Sequence, residues 1–329
     1  MKFVKIDSEN KELQALLLKK AAEIHHRKAD TLEWMQWKYF SSPFGPVIGF
    51  AAFSDDGNFW GECTYGRMQI QGNNKIYHAA YSYQTMTDAS ARRKGVFKNL
   101  HHQLFEAMKE AGVDGIFNFP NNNSFQPFLS LGYKPLEGIM QGLKINSLLL
   151  LKNFYRLRNQ KNFSPDSVNQ INAKEKNKLI EFFDKHGDKL YVYPGFLSPR
   201  YTKEFLLWRF FSFPLFDYKV VLYKDIALIA RMGRRFGLPE AQIMEILFTQ
   251  LPSVSDIKQV LNMLQKELKP VFFSFTCSNQ HPLKPILARS GMFFFKSKIH
   301  FCVYGLNDAT KIDFESIPWI ISPALFHRY

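Results

Sequence analysis

YQTMTDASARRKGVF, residues 83–97, is the stretch that decides the fold. Its opening residues carry strand chemistry. A polar turn follows, with three consecutive cations, Arg92, Arg93 and Lys94, and one glycine, Gly95. Val96 and Phe97 then begin a helical pattern that runs to 111 and stops at Gly112. The first turn of a helix leaves backbone N–H groups unpaired and carries partial positive charge. A diphosphate sits on such donors when no side chain crowds the backbone. Gly95 gives that access, and the cations add charge around it. An ordinary strand–helix turn with solvated basic residues has the same local pattern, so the surroundings must decide.

Working back from the turn, residues 47–53, 59–71 and 76–87 read as an antiparallel meander with turns at 55–58 and 72–74. Before it, apolar spacing of three and four predicts a helix over 9–28 and a shorter one over 31–40. Working forward, 113–119 reads as a strand, 124–131 as a short helix stopped by Gly132, and 133–144 as strand. The helix over 96–111 thus joins two strands that lie side by side and parallel. The fold class is α/β (α+β), a mixed and mostly antiparallel sheet with flanking helices.

The second half repeats this plan. Residues 37–43, WKYFSSP, align with 208–214, WRFFSFP, sharing Trp, Phe, Ser and Pro in register. Strands are expected over 219–231, 243–249, 270–277 and 292–304, helices over 256–268 and 282–290, and a turn at 236–239. The chain therefore reads as domain 1–145, linker 146–175 and domain 176–329. The second copy lacks the phosphate turn: QLPSVS, 250–255, stands where Arg-x-x-Gly would be. It is read as degenerate and as the acceptor side.

Composition narrows the function. With 329 residues, 46% hydrophobic and 16% aromatic, the chain has material for two cores. Cys63, Cys277 and Cys302 have no paired spacing, which argues for a reducing compartment and against a zinc site. No signal-type segment opens the chain, and the longest aliphatic run, 148–151, is far too short for a bilayer. A cytoplasmic protein without a transmembrane segment or metal is expected. The net charge of +14 suits a solvated basic surface or attraction to phosphate-rich small molecules. No basic block with interleaved aromatics marks a specific nucleic-acid module. The stretch 148–161, LLLLKNFYRLRNQK, suits a connector or a segment lying on a membrane surface.

With these elements in order, the chain resembles the GNAT superfamily of acyl-CoA-dependent N-acyltransferases. Their Arg/Gln-x-x-Gly-x-Gly/Ala signature stands here as Arg92-Arg93-Lys94-Gly95-Val96-Phe97, with Phe97 in place of the usual small residue. The run FNFPNNNS, 117–124, resembles the family's exit from strand five, and FLSLGY, 128–133, its following helix and glycine stop. The resemblance covers about residues 1–145.

That resemblance implies two tandem GNAT-like domains and acyl-coenzyme A as co-substrate. Arg92, Arg93, Lys94, Gly95, Val96 and Phe97 would hold the diphosphate. Backbone groups of Gln84, Thr85, Met86 and Thr87 would hold the pantetheine and polarise the thioester, and Asn121, Asn123, Ser124 and Phe128 would line the arm. An amine attacks directly, and a backbone N–H holds the tetrahedral oxyanion. Many relatives protonate the leaving thiolate with a Tyr, but Phe128 occupies that position and has no proton to give. A general base is expected, with Glu62, His78, Asp88 and His281 as candidates. Trp37, Tyr39 and Trp208 are candidates for stacking on a sugar or base, or are core residues opening each repeat. Tandem halves with one competent copy resemble bacterial enzymes that acylate dTDP- or UDP-linked amino sugars for surface polysaccharide (O-antigen) synthesis. Acetyl is the default acyl group, and longer or hydroxylated acyl chains such as 3-hydroxybutyryl stay open. Peptide, polyamine or lipid amines are alternative acceptors. A non-catalytic binder of nucleic acid or membrane surface is the alternative of another class.

Overall fold

The computed structural model describes residues 1–25, 31–136, 138–146, 173–212 and 216–325. It divides into two units, Met1–Leu136 with His300–Ile317, and Glu137–Ile299 with Pro318–Tyr329.

In the first unit β1 (Lys2–Lys5) precedes α1 (Lys11–His25) and α2 (Leu32–Met35), which continues as a π-helical turn over Gln36–Phe40. Thr31 caps α2 by accepting the Trp34 N–H. The expected meander is present as β2 (Ile48–Phe53), β3 (Phe59–Gly72) and β4 (Lys75–Thr87). Asn73 and Asn74 close the β3–β4 hairpin, both with positive φ, the geometry that a tight two-residue hairpin needs. Then follow α3 (Val96–Glu110), β5 (Gly115–Asn118), α4 (Asn122–Ser130) and β6 (Lys134–Pro135). β4 and β5 pair in parallel and all the other strand pairs named here for this unit are antiparallel, as the crossover α3 requires. Along α3, Leu100, Leu104 and Met108 recur on one face and pack on Cys63, Tyr65, Ala80 and Ile116 of the sheet.

The second unit takes β7 (Ile139–Ile145), α5 (Ala173–His186), β8 (Ser198–Pro199), α6 (Lys203–Phe211), β9 (Tyr218–Tyr223), β10 (Ile226–Arg235), β11 (Leu238–Phe248), α7 (Val254–Leu268), β12 (Phe272–Ser278), α8 (Leu283–Arg289) and β13 (Phe293–Lys296). Its sheet runs β13-β7-β12-β11-β10-β9. β11 and β12 are parallel and joined by α7, so this unit repeats the crossover of the first. The single strand expected over 219–231 is a hairpin, because Lys224, at positive φ, reverses the chain before β10.

Two more elements finish the first unit, β14 (Cys302–Gly305) and α9 (Asp308–Ser316). β14 enters the first sheet beside β5, Cys302 opposite Asn118 and Gly305 opposite Gly115, giving the order β1-β2-β3-β4-β5-β14-β6. The expected strand 133–144 is thus two strands in two sheets, and 292–304 likewise. The division expected at residue 145 accordingly differs from the compact units, because β7 pairs with β12 and β13 in the second sheet. Of the expected linker 146–175, residues 147–172 lie outside the described residues, as do the stretch 148–161 and residues 213–214 of the repeated motif; α5 begins at Ala173. No helix among the described residues is long and apolar enough to cross a membrane. The three cysteines are buried free thiols.

Candidate active site

The turn after β4 is built around backbone of alternating hand. Asp88 accepts the Ser90 N–H and starts a short 3-10 turn over Ala89–Ala91. Arg93 has φ +64° and Gly95 φ +75°, with Lys94 between them. Such alternation turns successive N–H groups toward one concave side. Gly95 is the N-cap of α3 and provides no side-chain cap, so the first-turn donors stay available. A Cβ at Gly95 would meet only Asn99 Nδ2, at 3.6 Å; the requirement for glycine there is conformational. Arg92, Arg93 and Lys94 are exposed, and Lys94 Nζ stands 5.1 Å above the Trp60 ring. The six residues expected to hold a diphosphate therefore meet at one helix start.

The start of α7 in the second unit is built differently. Ser253 caps α7, accepting the Asp256 N–H, and Asp256 in turn accepts the Ser253 N–H. This box satisfies the helix start with its own carboxylate, which repels an anion. Among the described residues the second unit offers no equivalent phosphate turn.

Beyond the turn, β4 and β5 part. Their pairing runs Ala79↔Gly115, Ala80↔Ile116 and Tyr81↔Phe117 and ends there. Against β3, Tyr65 faces Ser82 while Thr64 faces Gln84, so Tyr83 is an extra, bulged residue. Its ring lies across Gly66, where a Cβ would stand 2.1 Å from it. The bulge reassigns faces. Ser82 and Thr85 share the α3 side, where Thr85 Oγ1 is 3.2 Å from Cys63 Sγ. Gln84 and Met86, opposite Thr64 and Glu62, share the other face.

A buried hydrogen-bond chain links the turn to this fork. His101 Nδ1 is 2.8 Å from the Phe97 carbonyl, so that nitrogen carries the proton. Its Nε2 then accepts from Tyr65 Oη at 3.0 Å. Tyr65 Oη receives Asn118 Nδ2 at 3.3 Å, and Asn118 Oδ1 accepts the Ser82 N–H at 3.0 Å. Tyr133 Oη adds a contact to Tyr65 at 3.2 Å. Burial pushes His101 down to about 4, so the ring is neutral, and pushes the Tyr65 hydroxyl well above its usual range. The chain cannot exchange a proton readily with solvent; it fixes geometry.

The other predicted residues fall as follows. Asn121 caps α4, accepting from the N–H groups of Asn123 and Ser124, and Ser124 Oγ accepts the Asn121 N–H. Phe128 is buried against Phe97 and His101. Trp37, Tyr39 and Trp208 are buried in their units, as core residues opening each repeat would be. Among the base candidates, Asp88 is held in its ionised form chiefly by the Ser90 hydroxyl and pairs with Lys20 at 3.6 Å. His78 is exposed and lies before the paired stretch of β4, with its N–H on Asp114. His281 belongs to the second unit and is neutral, pushed down to about 3 by burial. Glu62 is fully buried on the Gln84 face, and Tyr39 Oη donates to its Oε1 at 3.3 Å. Sequence reasoning missed Asn118, although a lone Asn inside the apolar strand GIFN is a signal, since Asn is depleted in strands. Among the described residues no group of three or more His, Cys, Asp or Glu is placed to hold a metal.

Residues 17–135 match the acetyltransferase (GNAT) domain, a span that holds the turn, the fork and the buried chain between them. No curated protein sequence matches the chain. Among solved structures it is similar to a conserved Enterococcus faecalis V583 protein described as a probable N-acyltransferase, with TM-score 0.66 and 9% identity, covering 94% of this chain and 73% of that one. It is also similar to Saccharomyces cerevisiae N-myristoyltransferase with bound myristoyl-CoA. One such structure gives TM-score 0.55 and 11% identity over 92% of this chain and 82% of that one. Another gives 0.54 and 12% over 92% and 78%. At these identities the likeness is one of fold.

Proposed function

We propose, taking as premise an acyl-CoA-dependent N-acyltransferase whose residues 17–135 match the GNAT acetyltransferase domain, that the chain moves an acyl group from coenzyme A to the primary amine of a nucleotide-linked amino sugar. The observation that carries the donor side is the contrast between two helix starts. α3 begins at Gly95, without a side-chain cap and directly after the exposed Arg92, Arg93 and Lys94, whereas α7 begins in a box closed by Asp256. One acyl-CoA per chain follows, with its diphosphate on the first-turn amides of α3 and its thioester at the β4–β5 fork. The second unit is then left to the acceptor. A diphosphate on the acceptor as well as the donor accords with the net charge of +14, and buried free thiols accord with a cytoplasmic setting.

In the reaction the amine lone pair forms the C–N bond and the C–S bond breaks. The thiolate leaves with the electron pair and is then protonated. The amine nitrogen loses one proton and keeps one N–H in the amide. Glu62 takes the lost proton, because it is the candidate carboxylate on the face of the fork, and a carboxylate kept from water is a competent base. Asp88 is instead held by Ser90 and Lys20, His78 lies exposed before the fork, and His281 belongs to the second unit.

The fold shared with N-myristoyltransferase over 92% of the chain favours a second reading, a longer acyl chain delivered to a peptide or lipid amine. Thiol release from acetyl-, 3-hydroxybutyryl- and myristoyl-CoA separates the two. The panel of acceptors is dTDP- and UDP-linked amino sugars, spermidine and a peptide with a free amino terminus. A mass gain of one acyl group on an amino-sugar nucleotide supports the first reading. Turnover on spermidine or the peptide alone removes it.

A further inference from the structure

Gln84 follows the bulge at Tyr83, three residues past the last β4–β5 pair, and its side chain is 7% exposed. Its Nε2 lies 3.8 Å from Met86 Sδ. A thioether only accepts hydrogen bonds, so the amide is fixed with nitrogen toward sulfur and oxygen away from it. That oxygen, Oε1, is buried and accepts no hydrogen bond among the described residues. A buried acceptor left without a donor is destabilising, and an apolar side chain of the same shape would avoid the penalty. Gln84 is directly opposite Thr64 and diagonal to Glu62 on the same face of the β3–β4 ladder. Diagonal neighbours on one face of an antiparallel pair lie about 7–8 Å apart, close enough for two long side chains to meet one small group.

We propose that Gln84 Oε1 accepts an N–H of the attacking amine and so selects primary over secondary amines. This rests on the acyltransfer reading of the same site. A primary amine brings two N–H bonds. One proton leaves to Glu62 as the C–N bond forms, and the other stays on nitrogen through the tetrahedral intermediate into the amide. The retained N–H is the one that Gln84 holds, from encounter to product. A secondary amine has a single N–H, loses it on reaction, and leaves Oε1 bare in the product-like states. The selection works through loss of a partner rather than through a steric wall, and it needs no charge on Gln84.

The test uses the 329-residue chain, acetyl-CoA, and two compact nucleophiles that are neutral near pH 7 and carry no O–H, O-methylhydroxylamine and N,O-dimethylhydroxylamine. N-acylated product is measured by mass after subtraction of the uncatalysed rate. The wild type should prefer O-methylhydroxylamine in kcat/KM by about tenfold to hundredfold, the range for one buried hydrogen bond. Gln84→Met should lower kcat/KM for O-methylhydroxylamine until the preference is near one. It should leave the KM for acetyl-CoA within about twofold and should not lower the melting temperature. Gln84→Glu keeps an acceptor oxygen and should keep the preference, which guards against a misfolded Met variant. A preference that survives in Gln84→Met, or a Met variant that is less stable with unchanged amine kinetics, would overturn the assignment in favour of a structural water on Oε1. A wild-type chain that fails to bind acetyl-CoA at all would remove the acyltransfer reading instead.

Discussion

Asn118 Oδ1 accepts the Ser82 N–H at 3.0 Å, immediately beyond the Tyr81↔Phe117 pair at which β4 and β5 stop bonding to each other. One side chain thereby replaces the next rung of the ladder and holds the fork open at a fixed width. The same amide donates to Tyr65 Oη at 3.3 Å, which ties the fork to His101 and the Phe97 carbonyl. Asn118→Ala should cost about 1–3 kcal/mol, because both bonds are lost in a buried place. Tyr65→Phe should cost a similar amount. The double variant should cost less than the sum by at least about 0.5 kcal/mol, since the two residues share one network. Urea unfolding of the four proteins gives the coupling, and strict additivity would show that the chain of bonds is not a unit.

His101 makes stability depend on pH with a definite sign. Its folded value, about 4, lies below the usual value of about 6.5 because the ring is buried. Its contribution is complete above pH 6.5, and between 6.5 and 4 only the unfolded chain takes up the proton. Stability therefore falls through that window by up to about 1.4 kcal/mol per pH unit for this residue. His281, pushed down to about 3, acts in the same direction. Glu245, pushed up to about 7 by burial beside Tyr201 and Ser322, acts oppositely, since its native carboxyl binds a proton that the unfolded chain has released. His101→Gln should be less stable than wild type at pH 8, with the difference narrowing from pH 6.5 to 4. Unfolding curves at five pH values check this; a constant difference would mean that His101 is not buried as a neutral ring.

How much of this was legible depends on the range of each signal. The Asn73–Asn74 hairpin and the Gly95 helix start are written in two to six consecutive residues, and both are present in the structure. The partner of β14 is not written in Cys302–Gly305, because a period-two pattern marks a strand without naming its neighbour. The expected strand 133–144 fails for the same reason, as β6 and β7 go to different sheets. At the site, the cations of the turn are readable as a motif. The roles of Asn118 and Gln84 follow from a one-residue bulge at Tyr83, which decides which side chains share a face and leaves no mark in local composition. Trp37 and Trp208 were ambiguous for another reason: an aromatic opening a repeat looks alike whether it stacks on a ligand or on its own core.

Gly95 offers a test of the proposed donor site that separates conformation from access. At φ +75° any other residue is strained, so Gly95→Ala should cost about 1 kcal/mol in stability even though its Cβ meets nothing closer than 3.6 Å. Gly95→Trp adds a ring over the first-turn amides. Wild-type protein at a hundredfold excess of acetyl-CoA over its dissociation constant should gain about 2.7 kcal/mol. The Ala variant should keep most of that gain and the Trp variant should lose it. Thermal unfolding with and without acetyl-CoA gives both quantities. An undiminished gain in Gly95→Trp would place the diphosphate elsewhere.

Ser253 provides the matched control in the second unit. Its hydroxyl accepts the Asp256 N–H at 3.1 Å, and Asp256 Oδ1 meets Lys224 Nζ at 2.6 Å. Removing the cap by Ser253→Ala should cost about 1 kcal/mol, the usual loss at a helix start. Removing the carboxylate by Asp256→Asn frees the Ser253 N–H only in part and takes away the negative charge that opposes an anion. Neither change supplies the alternating backbone of Arg93 and Gly95 or a set of cations. Acetyl-CoA should therefore bind both variants at one site per chain, with the affinity of the wild type. Calorimetric titration measures the number directly, and a second equivalent bound by Asp256→Asn would show that charge alone, rather than the shape of the turn, silences the second copy.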